Sequence, residues 1–179
     1  MAKVNYLTFT GIALLLAGIV MLISEKIGVG ISKILIPLLF ITGGIFSVLF
    51  SQVKTQIKAV KQYQLIHGVG LILFGIIFGL VPNTLSDFLS YATYFILFFG
   101  FIEITICFAL VNSDFKFKWG DLISRFISGF FGLIGGVLIL ATTATDQFSA
   151  LAITGIITAL MGIGIVFFSV KLEKIMIAS

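Results

Sequence analysis

Residues 67–77 read HGVGLILFGII, and the same pattern stands at 10–20 as TGIALLLAGIV and at 128–138 as SGFFGLIGGVL. Each copy opens on a polar residue and carries glycine at its second and ninth positions: Gly11 and Gly18, Gly68 and Gly75, Gly129 and Gly136. About 25 residues beyond the second glycine of each pair comes another: Gly43, Gly100 and Gly162. A period of about 60 residues holding two apolar runs reads as a helical hairpin repeated along the chain.

Composition says where such hairpins belong. The chain has 179 residues, 60% of them hydrophobic and 10% charged. A water-soluble domain of this length needs more polar side chains to cover its surface. Six apolar runs are separated by short polar joints, at 6–23, 34–50, 65–81, 88–111, 122–141 and 148–170. Their lengths match the roughly 17–25 residues that a helix needs to cross a bilayer. They lack the alternation of a membrane barrel strand. The first run has no small-residue cleavage pattern after it, so it does not read as a signal peptide. The expected fold is an all-α integral membrane protein: six transmembrane helices as three parallel helical-hairpin repeats. A single membrane domain covers 1–179, with the repeats at about 6–50, 63–111 and 121–170. Because each unit contributes two spans, all three enter the membrane from the same side, about a pseudo-threefold axis.

Lysine and arginine set the orientation. Lys3, Lys54, Lys58, Lys61, Lys116, Lys118, Arg125, Lys171 and Lys174 fall on one side, Lys26 and Lys33 on the other. Nine against two predicts that both termini are cytoplasmic, with Asp87 and Asp146 outside. Tyr6, Tyr63 and Trp119 are expected at the inner interface and Tyr91 and Tyr94 at the outer one, as an aromatic belt. The net charge of +4 is then a topology signal. Basic residues scattered over separate segments do not make a nucleic-acid surface.

Apolar burial does not pull helices together in lipid; close packing of small residues does. That role is assigned to Gly11, Gly18, Gly43, Gly68, Gly75, Gly79, Gly100, Gly129, Gly132, Gly136 and Gly162. Gly75–Gly79 and Gly132–Gly136 are GxxxG pairs, and Thr154, Thr158 and Gly162 continue a small-every-four stripe. The seams so formed lie within one chain; the sharper alternative is a homo-oligomer interface.

One carboxylate breaks the apolar pattern, Glu103 in FGFIEITICF (99–108). An ionisable residue within a span faces protein and finds a partner. Gly100 and Cys107 share its helical face, so Glu103 is expected to point at another helix. The candidate partners are Arg125, across a short joint, and His67. The alternatives are an Arg125 that snorkels to the headgroups, a His67 that is packed or headgroup-facing, and a protonated Glu103 bonded to a backbone carbonyl or Thr105. Thr10, His67 and Ser128 open the three copies and form a candidate polar ring about the axis.

Enzymatic chemistry is not expected. One histidine and one cysteine do not make a metal site. No nucleophile–base pair stands at a fixed spacing. The glycines follow no strand, so they form no phosphate loop. No cofactor is called for. Cys107 is the only cysteine, so there is no internal disulfide.

Six spans as three hairpins, a G-x6-G opening and the basic–Trp entry KWGDLISRFISGFFGLIGGVLIL (118–140) resemble the HdeD-like acid-resistance membrane proteins. The resemblance implies a bacterial or archaeal plasma-membrane protein associated with acid or envelope stress, and no catalytic residues. The expected function is non-enzymatic, through helix packing or association with membrane partners and lipids. The alternative is a proton-responsive channel or small-solute transporter using Glu103 with His67 and Arg125. A third is an accessory subunit that docks through SQVKTQIKAVKQYQ, where Lys54, Lys58 and Lys61 stand at helical spacing.

Overall fold

The computed structural model describes residues 5–53, 58–113 and 117–178. Among them are six helices: α1 (Asn5–Ile27), α2 (Val29–Ser51), α3 (Lys58–Leu80), α4 (Leu85–Val111), α5 (Trp119–Thr143) and α6 (Gln147–Ala178). All six contain a stretch long and apolar enough to cross a membrane. Lys3, Lys54 and Lys116, which entered the orientation and docking arguments, lie outside the described residues.

The helices run longer than the apolar runs because polar end residues continue them. Their ends have specific causes. α1 and α2 are divided by Gly28 alone, at φ +91°, a backbone state in which a Cβ is costly. α4 starts on a capping box: the Asp87 N–H donates to Thr84 Oγ1, and the Thr84 N–H donates to the Asp87 carboxylate. α6 starts at Asp146, whose carboxylate accepts from the Phe148 and Ser149 N–H groups.

Each helix packs on its chain neighbours, and α1 closes the circle on α6. α1·α6, α2·α3 and α4·α5 are the most extensive interfaces and α3·α4 is much lighter; α4 also reaches across to α6. Opposed residues show neighbours running antiparallel, as with Gly11 beside Gly162 and Gly18 beside Gly155. The start of α1 and the end of α6 therefore lie at one end of the bundle.

Glycines make the tight interfaces possible. A Cβ on Gly18 would lie 2.5 Å from the Gly155 carbonyl oxygen, and one on Gly11 would lie 2.7 Å from that of Gly162. Between α2 and α3 the facing pair is Gly44 and Gly68, again 2.7 Å from a backbone oxygen. Gly43, the residue singled out from the sequence, instead faces Ala13 of α1 at a looser 3.2 Å. Gly75 rests on the backbone of α2 near Pro37 and Ile41, and Gly79 touches the Pro37 ring at an ordinary 3.5 Å. Between α4 and α5, Gly100 meets Gly129 and Gly132, while Gly136 accommodates Leu97. The outer surface is apolar along the helices, with Ile34, Leu73, Phe101, Val137 and Phe167 among the exposed side chains. Such a surface suits a lipid solvent and not water.

Candidate functional site

At the end of the bundle where α1 begins and α6 ends, three helices place polar groups into one dry interior. α3 supplies Tyr63 and His67, one turn apart; α4 supplies Glu103; α5 supplies Arg125. Glu103 and His67 are each 1% exposed, Arg125 0% and Tyr63 5%. The close approach of α4 and α5 is what lets them meet. Gly129 lies one turn beyond Arg125, and a Cβ there would fall 2.8 Å from Glu103 Cβ. Gly100, one turn before Glu103, abuts the Gly129 carbonyl.

The guanidinium grips the carboxylate with two donors. Arg125 Nε donates to Glu103 Oε2 and Nη2 to Oε1, both at 2.5 Å. This fork geometry gives direction as well as charge. Tyr63 Oη donates to Glu103 Oε1 at 2.6 Å and accepts from Arg125 Nη2. His67 Nε2 stands 3.8 Å from Glu103 Oε1. The guanidinium carbon lies 4.5 Å from the Tyr63 ring centre and 4.9 Å from that of Phe168 on α6, so cation–π attraction adds to the grip. Among the described residues, three buried side-chain nitrogens have no hydrogen-bonding partner: Arg125 Nη1, His67 Nδ1 and Gln64 Nε2.

The structure thus brings Glu103, Arg125 and His67 together. Arg125 does not snorkel, and Thr105 bonds the Phe101 carbonyl of its own helix instead of Glu103. Thr10, His67 and Ser128 are all buried, each in its own surroundings. Thr10 donates to the Tyr6 and Gly43 carbonyls, Ser128 donates to the Arg125 carbonyl, and His67 packs edge-on against Phe99. Among the described residues no hydrogen bond joins the three.

Tyr63 is the partner that the sequence reading placed wrongly. It was expected in the interfacial aromatic belt; the structure turns it inward onto Glu103. Its helical offset from His67, one turn on the same face, was the available signal. Phe168 carries no such signal, because it is one apolar residue among many.

Beyond His67 the interior becomes aromatic. Ring centres step from His67 to Phe99 at 4.8 Å, Phe99 to Phe95 at 4.6 Å and Phe95 to Phe40 at 4.7 Å. They continue from Phe40 to Phe78 at 5.2 Å and Phe78 to Phe88 at 5.0 Å. Phe40, Phe78, Phe95 and Phe99 are each at most 1% exposed.

The fold and site define a class: an all-helical protein with six helices capable of spanning a membrane and a buried charge cluster at one end. Compared with family models, curated proteins and solved structures, the chain finds no match.

Proposed function

We propose that the chain is a non-enzymatic, six-span membrane protein built of three parallel hairpin repeats, acting in acid or envelope stress through helix packing or association with membrane partners. The repeat reading draws support from the order of the glycine interfaces. α2·α3, α4·α5 and α6·α1 each join the second helix of one hairpin to the first helix of the next. A cyclic threefold arrangement requires that order. The lysine and arginine distribution supports cytoplasmic termini. The resemblance to HdeD-like proteins supports a bacterial or archaeal plasma membrane and the link to stress.

One observation carries the choice of a packing role over transport: Glu103 is engaged by Arg125 and Tyr63 in an interior closed by phenylalanine rings. A carboxylate that ferries protons needs water access and a chain of ionisable neighbours. Here the next groups along the bundle are Phe99, Phe95, Phe40 and Phe78. The expected result with proteoliposomes is equal proton and solute tightness for wild type and Glu103→Gln. A leak in wild type that the substitution abolishes would establish the transporter reading instead. That second reading has its own motive, since His67 lies 3.8 Å from Glu103 and its Nδ1 is unbonded.

A further inference from the structure

At the end of the bundle remote from the charge cluster, a cleft of about 130 Å³ opens between α1, α2, α4, α6 and the α3–α4 turn. Its exposed side carries Lys33, Asn83 and Thr84. Its buried side is apolar, formed by Ile36, Phe88 and Leu151, at 2%, 6% and 4% exposure. Two hydroxyls, Ser24 and Ser32, are buried to the same degree, at 1% and 4% exposure.

We propose that this cleft binds a small amphiphile with an oxyanion head, a carboxylate or a phosphate ester, and an apolar tail. Lys33 supplies the charge that the head needs. It belongs to none of the ion pairs among the described residues. Asp87 feels its field, but the Asp87 carboxylate is engaged by the Thr84 N–H, 3.1 Å away, in the α4 cap. The first turn of α4 borders the cleft through Leu85 and adds the positive end of its helix dipole. Ser24 and Ser32 donate to the Val20 and Gly28 carbonyls. Their oxygens can still accept a hydrogen bond where the head also carries a hydroxyl, as lysophosphatidate does. Ile36, Phe88 and Leu151 then receive the tail, where its burial is favourable at about 25 cal/mol per Å². The cleft thus runs from an exposed ammonium to a buried side of hydrocarbon with two hydroxyls, as an amphiphile requires. At the end of the spans, the cleft meets the headgroup layer from which such a molecule arrives.

The test uses the full chain in nanodiscs of zwitterionic lipid. Leu85→Trp places a reporter at the cleft. Trp119→Phe removes the natural tryptophan, which is the only one in the chain. Brominated octanoate and brominated lysophosphatidate are the probes, with brominated octanol as the uncharged control. Saturable quenching by an oxyanion, weakened about tenfold by Lys33→Met, with only linear quenching by octanol, supports the site. Response to octanoate alone assigns free acids, and response to lysophosphatidate alone assigns a lipid head. Quenching that never saturates, or that Lys33→Met leaves unchanged, overturns the proposal. Should Leu85→Trp fail to fold, the unmodified chain serves: its thermal midpoint rises with one of the unbrominated oxyanions, whereas that of Lys33→Met does not. No rise in the unmodified chain overturns the site equally.

Discussion

Glu103 and Phe95 lie about two turns apart on α4 and are equally dry, at 1% and 0% exposure. Different physics holds each in place. Glu103 depends on particular atoms: two nitrogens of Arg125 and the hydroxyl of Tyr63. Phe95 depends on volume and ring faces, touching Phe40, Phe74, Phe78 and Phe99. A charge pair in a dry interior gains little net stability, because desolvation offsets most of the attraction. Its strength is selectivity, since only one register of α4 against α5 satisfies it. The aromatic column is more forgiving in register and supplies dispersion contacts in quantity. The polar end should therefore punish the loss of one partner, and the aromatic end should tolerate replacement.

The largest effect is expected from Arg125→Leu, which leaves a buried carboxylate unpaired at a cost of about 3–5 kcal/mol. Unfolding of detergent-solubilised protein by denaturant measures it. The double variant Glu103→Leu with Arg125→Leu should recover most of the loss, because neither charge then remains. If the double variant were as unstable as Arg125→Leu alone, the pair would not be what fixes this end.

Gly129→Ala sharpens the contrast without touching a charge. The added methyl would stand 2.8 Å from Glu103 Cβ and 2.9 Å from the Gly100 carbonyl, neither of which is the free end of a flexible chain. Separating α4 from α5 should cost about 1–3 kcal/mol. The salt dependence of unfolding should also rise, because a parted pair admits water and ions. Gly70→Ala is its counterpart, facing the Phe99 ring at 3.1 Å, where a ring edge can yield; its cost should be visibly smaller.

Phe95→Leu tests the aromatic end directly. A hydrophobic replacement of roughly similar volume should cost less than about 1.5 kcal/mol, read from the same unfolding curves. A loss as large as that from Arg125→Leu would mean that the column requires specific ring geometry, and the contrast with Glu103 would vanish.

These two ends were unequally legible in the sequence. Six helices followed from run length and composition, because a bilayer fixes both. Glu103 announced itself by being the charge in an apolar run, and Arg125 by sharing a face with Ser128, Gly129 and Gly132. The aromatic column could not be found. In a span both the lipid-facing and the inward faces are apolar, so the usual amphipathic phase is missing, and Phe95 reads no differently from the exposed Phe98 or Phe101. Only small and polar residues report the phase, and even they mislead. The GG pair at 43–44 offered two candidates, and the repeat spacing selected Gly43, whereas Gly44 makes the close approach to Gly68. Tyr63 was ambiguous for another reason. Near the start of α3, a tyrosine suits an interface and an interior equally, and only the position of Glu103 on a different helix decides.

Asp146, in contrast to Glu103, shows what an exposed carboxylate does. It lies in the turn before α6 and accepts hydrogen bonds from the Ser149 hydroxyl and from the Ser149 and Phe148 N–H groups. The Ser149 hydroxyl, then those N–H groups, hold its pKa below the ordinary carboxylate value. A depressed folded-state pKa stabilises the fold at pH above the unfolded value, near about 4. That contribution is lost as pH falls through the lower folded value. Asp146→Ala should therefore lower the thermal midpoint slightly at neutral pH, the smallest effect of this series. The gap from wild type should hold steady down to about pH 5 and narrow below about pH 4. A gap that widened with acid would mean that Asp146 is repelled in the fold instead of being held by the α6 cap.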